Sequence, residues 1–159
     1  MHIKEYNRQK AVEYANKWAY KRNPKYYDFD LIGGDCTNFV SQCIYAGSEV
    51  MNYEKTYGWY YNSTNDKSPS WTGVRFLYDF LINNKGVGPI GELSDEVQIG
   101  DVVQLSFDAI QFTHSLIIVG IEKEKILIAS HSFDSYGRDI DSYMYKKIRF
   151  IHIKGVRKS

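Results

Sequence analysis

A chain of 159 residues holds one compact domain of ordinary size and is too short for two. Hydrophobic residues make up 43% and charged residues 25%, an ordinary globular balance. With 20 basic against 19 acidic residues there is no cationic excess to neutralise phosphates, so nucleic acid is a poor candidate partner.

In chain order, residues 6–21 repeat apolar side chains at helical spacing (Ala11, Ala15, Trp18, Ala19), and Asn23-Pro24 ends the helix. A loop, KYYDFDLIGGD, follows. CTNFVSQCIYAG then places Phe39, Val40, Cys43 and Ile44 on one helical face, with Asp35 as N-cap and Gly47 as the C-terminal stop. Residues 48–69 lose the pattern and read as a long loop, a kind of segment that often carries function. Residues 70–83 predict another helix, with Trp71, Val74, Leu77, Phe80 and Leu81 on one side. The period then changes: DVVQLSF, HSLIIVGI, KILIASHSF and KKIRFIHI are short, β-branched and separated by polar turns. Helices first and strands afterwards predict an α+β fold with an antiparallel sheet, read as one domain over residues 1–159.

No apolar run approaches the roughly 20 residues of a membrane span. The opening MHIKEYNRQK has no apolar signal core, which leaves a cytoplasmic chain or a piece of a longer exported or cell-wall protein. Oligomeric state is not legible. The 14 tyrosines suit a groove wall, with an apolar body and a wet hydroxyl, although most read as core.

Cys36 and Cys43 lie two helical turns apart, roughly 10 Å of rise and too far for a disulfide. Cys36 falls in the first turn of its helix, after Gly33-Gly34-Asp35. Unpaired amides and the helix dipole there favour a thiolate and an oxyanion, so Cys36 is the candidate nucleophile. Cys43 sits among apolar residues and reads as inert.

His114 opens one strand and His131 closes the next. With Ile121 facing Ile126 across the turn, His114 faces Phe133 and His131 faces Leu116, which puts both imidazoles on one side of the sheet, roughly 7–8 Å apart at Cα. His114 is then the general base, and His131, or failing it Asp134, the polar group that orients the ring. Asp35 reads as the cap alone, or as a cap that also steers substrate. Thr37 and Asn38 are candidate oxyanion donors and equally candidate caps; Trp59, Tyr60 and Tyr61 are candidate walls of a substrate groove, while Trp71 packs inside. Asp101 shapes a turn. No residues have metal-ligand spacing, and no metal or cofactor is expected.

Five stretches, in order, carry a resemblance: YNRQKAVEYANKWA, DCTNFVSQCIYAG, WYYN with PSWTGVRFLYDFL, IGDVVQL, and HSLIIVG followed by SHSFD. With them the chain resembles the putative amidase domain family, relatives of NlpC-type and CHAP-type peptidoglycan hydrolases within the papain-like superfamily. DCTNFVSQC is the most specific stretch; a glycine pair expected after the cysteine helix is Gly47-Ser48 here. The resemblance implies Cys36 as nucleophile, His114 as base and His131 as third polar residue, with the cysteine helix packed on an antiparallel sheet that carries the histidines. It further implies a bacterial cysteine amidase or peptidase acting on peptidoglycan or similar small peptides through an acyl-enzyme. Two alternatives share the site: an acyltransferase, and a binding module that has lost turnover.

Overall fold

The computed structural model describes residues 1–159. A short strand, β1 (His2–Lys4), precedes helix α1 (Arg8–Trp18), whose N-cap Asn7 accepts the Lys10 amide on its side chain. Tyr6 therefore stays outside the helix, and its ring packs where a side chain on Gly47 would stand: a Cβ there would lie 2.6 Å from the ring. Gly47 thus serves close packing rather than helix termination. Helix α2 (Cys36–Ser48) runs one residue past it and ends on Glu49, which takes the left-handed conformation at φ 58°.

Eleven of the 13 residues of α2 are buried, which makes it the central helix, enclosed by α1, the sheet and a layer of aromatic rings. Some of the rings come from residues 48–69, which are more ordered than their sequence predicts. Asn52 and Trp59 form an isolated bridge, and β2 (Tyr61–Ser63) pairs with β3 (Asp66–Lys67). Trp59 and Trp71 are fully buried, 4.7 Å apart between ring centroids. The helix predicted over 70–83 is two pieces, α3 (Pro69–Thr72) and α4 (Val74–Asn83), because Gly73 is extended at their junction, where a Cβ would come within 2.8 Å of Phe76.

The remaining strands are β4 (Gly88–Leu93), β5 (Val102–Ser106), β6 (His114–Glu122), β7 (Lys125–Ser130), β8 (Ser135–Asp139) and β9 (Lys147–Lys158). They form a seven-stranded antiparallel sheet in the order β1-β9-β5-β6-β7-β8, with β4 on the other edge of β9. The fold is therefore α+β with an antiparallel sheet, as the pattern predicts. Of the strands, β1, β4 and β8 escape a reading by alternation. One sheet face carries Val102, Ile117, Ala129 and Ile151 against α2, Trp59 and Leu77. The other carries Val103, Leu105, Leu116, Ile118 and Ile128 against Ile140. No helix is long and apolar enough to cross a membrane.

Candidate active site

Gly33 and Gly34, at φ 84° and 98°, turn the chain into α2 so that Cys36 is its first residue. The thiol is 8% exposed and faces the Thr37 hydroxyl at 3.7 Å. Burial pushes it above its ordinary pKa, against the opposite pull of the Ser115 and Thr37 backbone amides that point at it. The thiolate expected at a helix start is thus not the resting form; desolvation outweighs the helix terminus. Cys43, wholly buried among apolar side chains, is pushed up further, again by burial.

Asp35 precedes Cys36 as N-cap, but its carboxylate does not cap the helix. It is completely buried and accepts from the Phe29 amide at 2.9 Å and the Asn38 side-chain amide at 2.8 Å, while its other oxygen meets Nδ1 of His131 at 2.5 Å. Nε2 of His131 meets the Trp18 carbonyl at 2.8 Å. A carbonyl only accepts, so in this contact Nε2 is the donor. The His131 ring also stacks on Phe39, with centroids 4.1 Å apart. Arg22 closes the cluster from outside, bonding Asp134 at 3.0 Å and Asp30 at 2.5 Å, with Nε 3.7 Å from Asp35. Asp134, the expected fallback partner of the catalytic ring, is held by this arginine.

His114 is elsewhere. Ile121 does face Ile126, and the Lys123–Glu124 turn has the two positive φ angles of a tight hairpin. The register then shifts between Ile118 and Gly120, leaving Ile117 opposite Ala129. That one-residue bulge reverses which residues share a face beyond it. His114 lies directly opposite Leu105 on β5, whereas Ser115 lies opposite Gln104. Ser115 meets the Thr37 hydroxyl at 2.9 Å on the α2 side, and the His114 ring meets Tyr143 at 5.9 Å and Phe107 at 6.4 Å on the other side. The two histidines therefore occupy opposite faces, and the expected His114–His131 contact is absent. The His114 ring makes no hydrogen bond within the chain, nor does any link it to Cys36. Burial, and secondarily the positive charge of Arg138, lower its pKa to about 4, so the ring is neutral at pH 7.

The other candidate binding residues turn inward. Thr37 and Asn38 are buried; Asn38 donates to the Tyr27 carbonyl and to Asp35, and accepts from the Trp71 indole at 3.0 Å. Trp59 donates to Ser41 inside the core, and Tyr60 is buried with its hydroxyl toward Asp66. None of these side chains, nor that of Asp35, is placed on an open groove: Asp35, Thr37, Asn38 and Trp59 satisfy buried polar groups around α2, and Tyr60 bonds Asp66 of β3. An open cavity of about 460 Å³ lies beside His114, walled by Phe107, Phe133, Arg138 and Tyr143. Sequence reasoning named none of these four as site residues: Phe107 and Phe133 read as ends of predicted strands, and SYGRD, which carries Arg138, shows no strand alternation. Asp101 does more than shape a turn: wholly buried, it bonds Arg8 at 2.7 Å and His152 at 2.8 Å. No group of three or more His, Cys, Asp or Glu side chains is arranged to hold a metal ion.

The family model described as "Putative amidase domain" matches residues 5–154. The chain is 34% identical over 161 residues to the uncharacterized protein YhbB of Bacillus subtilis (strain 168), across 94% of this chain and 50% of that protein. It is 27% identical over 142 residues to the uncharacterized protein YjcM of the same organism, across 82% of this chain and 32% of that protein. The chain thus spans half or less of the length of these relatives. No solved structure matches it.

Proposed function

The chain belongs to the putative amidase domain family, and from that premise we propose that it is a cysteine-dependent hydrolase of amide bonds with a papain-like arrangement, Cys36 its nucleophile and His114 its general base. The family description points to amide hydrolysis in general. The cysteine mechanism rests on one observation: the Cys36 thiol, first residue of a buried helix, faces the backbone amide of Ser115, the residue joined to His114, whose ring is neutral and unbonded.

Thiol and imidazole both being neutral at rest, the reaction begins with proton transfer rather than with a preformed ion pair. The Cys36 sulfur bonds to the amide carbonyl carbon as His114 takes the thiol proton. The Cys36 backbone N–H, which has no carbonyl partner in the helix, is a donor for the oxyanion. Collapse breaks the C–N bond, and the amine leaves with the proton from His114. Water, giving its proton to His114, then cleaves the thioester, releasing the acid and restoring the thiol. His114 opens its strand next to Ser115, and the proposed step requires its ring to come within reach of the sulfur when substrate binds. His131 acts through Asp35, as a positioning residue for the turn that presents Cys36, rather than by orienting the His114 ring.

Peptides of peptidoglycan or similar small peptides are the substrates we propose. Incubation with purified peptidoglycan and mass analysis of the fragments tests this, with Cys36→Ala as control. New amine and carboxyl ends that require Cys36 are expected; turnover that survives Cys36→Ala would end the cysteine reading.

A further inference from the structure

Five arginines of this chain are half-buried, and their surroundings differ: Arg149 donates to the Gln104 side chain and Arg157 to the Asn84 carbonyl. Arg8 bonds Asp101, and Arg22 bonds Asp30 and Asp134. Arg138, half-buried on β8, has no acidic partner. Its Nε donates to the Ser142 hydroxyl at 2.7 Å, and its guanidinium carbon lies over the Tyr143 ring, 3.7 Å from the centroid. Neither terminal nitrogen has an acceptor within the chain. The tethered guanidinium is thereby fixed in orientation with its bidentate edge unused, the geometry that matches a carboxylate.

This cation stands in the wall of the cavity beside His114. Three aromatic side chains share the wall with it, Phe107, Tyr143 and Phe133, which is 89% exposed, beside Thr113 and Ser132. The Tyr143 hydroxyl is buried without a hydrogen-bond partner. Ser132 and Phe133 hold left-handed backbones at φ 63° and 68°, an unfavourable conformation for both, at the rim of the cavity. A cavity that pairs one unneutralised arginine with aromatic walls selects a ligand with a carboxylate and an apolar body.

Resting on the hydrolase reading above, we propose that this cavity is a subsite for a substrate carboxylate held by Arg138, so that the preferred amides are those of peptides bearing a free carboxylate beside the scissile bond. The subsite has a mechanistic consequence. Arg138 is one of the two causes that hold the His114 ring at low basicity. A bound carboxylate neutralises it, so the base strengthens when the correct substrate is in place.

Binding in the Cys36→Ala protein, which has no nucleophile, separates the subsite from the chemistry. The probes are N-acetylphenylalanine and its amide, identical but for the charge. The acid should bind at least about tenfold more tightly, the discrimination expected of a charged hydrogen-bond pair. Arg138→Gln should bring the acid down to the level of the amide, and Arg138→Lys should keep part of the difference. The acid, and not the amide, should also raise the midpoint of the His114 imidazole titration followed by NMR. Equal binding of acid and amide, discrimination that survives Arg138→Gln, or no detectable binding of the acid in the millimolar range each overturns the subsite. These results leave the hydrolase reading standing, because turnover in the intact protein tests that separately.

Discussion

His131 and His114 stand near facing ends of neighbouring strands, and their surroundings are opposites. Both ring nitrogens of His131 are bonded, its ring is stacked and its carboxylate partner is fully coordinated. The His114 ring has no hydrogen bond, a nearby cation that disfavours its protonation, and a cavity in front of it. A completely satisfied buried imidazole holds structure together; an unsatisfied one at a cavity is available for proton transfer. On the proposed mechanism the difference assigns chemistry to His114 and architecture to His131, although the sequence presents the two alike.

Substitutions test that division most severely. Cys36→Ala and His114→Ala should each lower turnover about a thousandfold or more, with melting temperatures close to that of the parent. Were His131→Ala to cost as much turnover without loss of stability, the assignment of roles would be reversed.

Asp35→Ala should act on the other side of the comparison. It leaves the Phe29 amide, the Asn38 amide and His131 without their common acceptor, and should cost about 3–5 kcal/mol in denaturant unfolding. His131→Asn, which can still donate to Asp35, should be more stable than His131→Ala by about 1 kcal/mol.

Next in size is a pH effect. The unfolded His114 ring takes its proton near 6.5 and the folded one near 4. As pH falls through that window the unfolded state binds more protons, so stability drops, by on the order of 3 kcal/mol in full, and this group adds no further loss below it. Unfolding of the parent and His114→Asn at intervals from pH 7 to pH 4 measures it: the parent should lose more. For the free enzyme, kcat/KM should likewise fall only near pH 4, and an acid limb at the ordinary histidine pKa would contradict a desolvated base.

The smallest effect is on the two thiols. Iodoacetamide should modify Cys36 slowly at neutral pH and faster as pH rises, since burial holds it protonated, while Cys43 in folded protein stays unmodified. Peptide mapping distinguishes them, and preferential labelling of Cys43 would reverse the order.

Periodicity made α1, α2, β5, β6, β7 and β9 legible, because each packs at least one face against an apolar cluster. GPIGEL in β4 and HIK in β1 are strands only because β9 is there to pair with them. The bulge between Ile118 and Gly120 is signalled in the sequence only by the glycine inside the strand, and it decides the faces of both histidines. Cys36, His114 and His131 were visible as residue types at element ends. Who bonds to whom was not, since a hydrogen-bond partner such as the Trp18 carbonyl is backbone and carries no residue identity.

The pairing of β1 with the end of β9 places His2 directly across from Lys158. Joining those neighbouring strands through a short linker closes a small loop, at little cost in chain entropy. New ends opened in the exposed Lys123–Glu124 turn would leave every strand pair and both histidine environments in place. The pairing of its first and last strands thus suits the domain to circular permutation, the chain closing on itself like a bracelet that can be unclasped elsewhere.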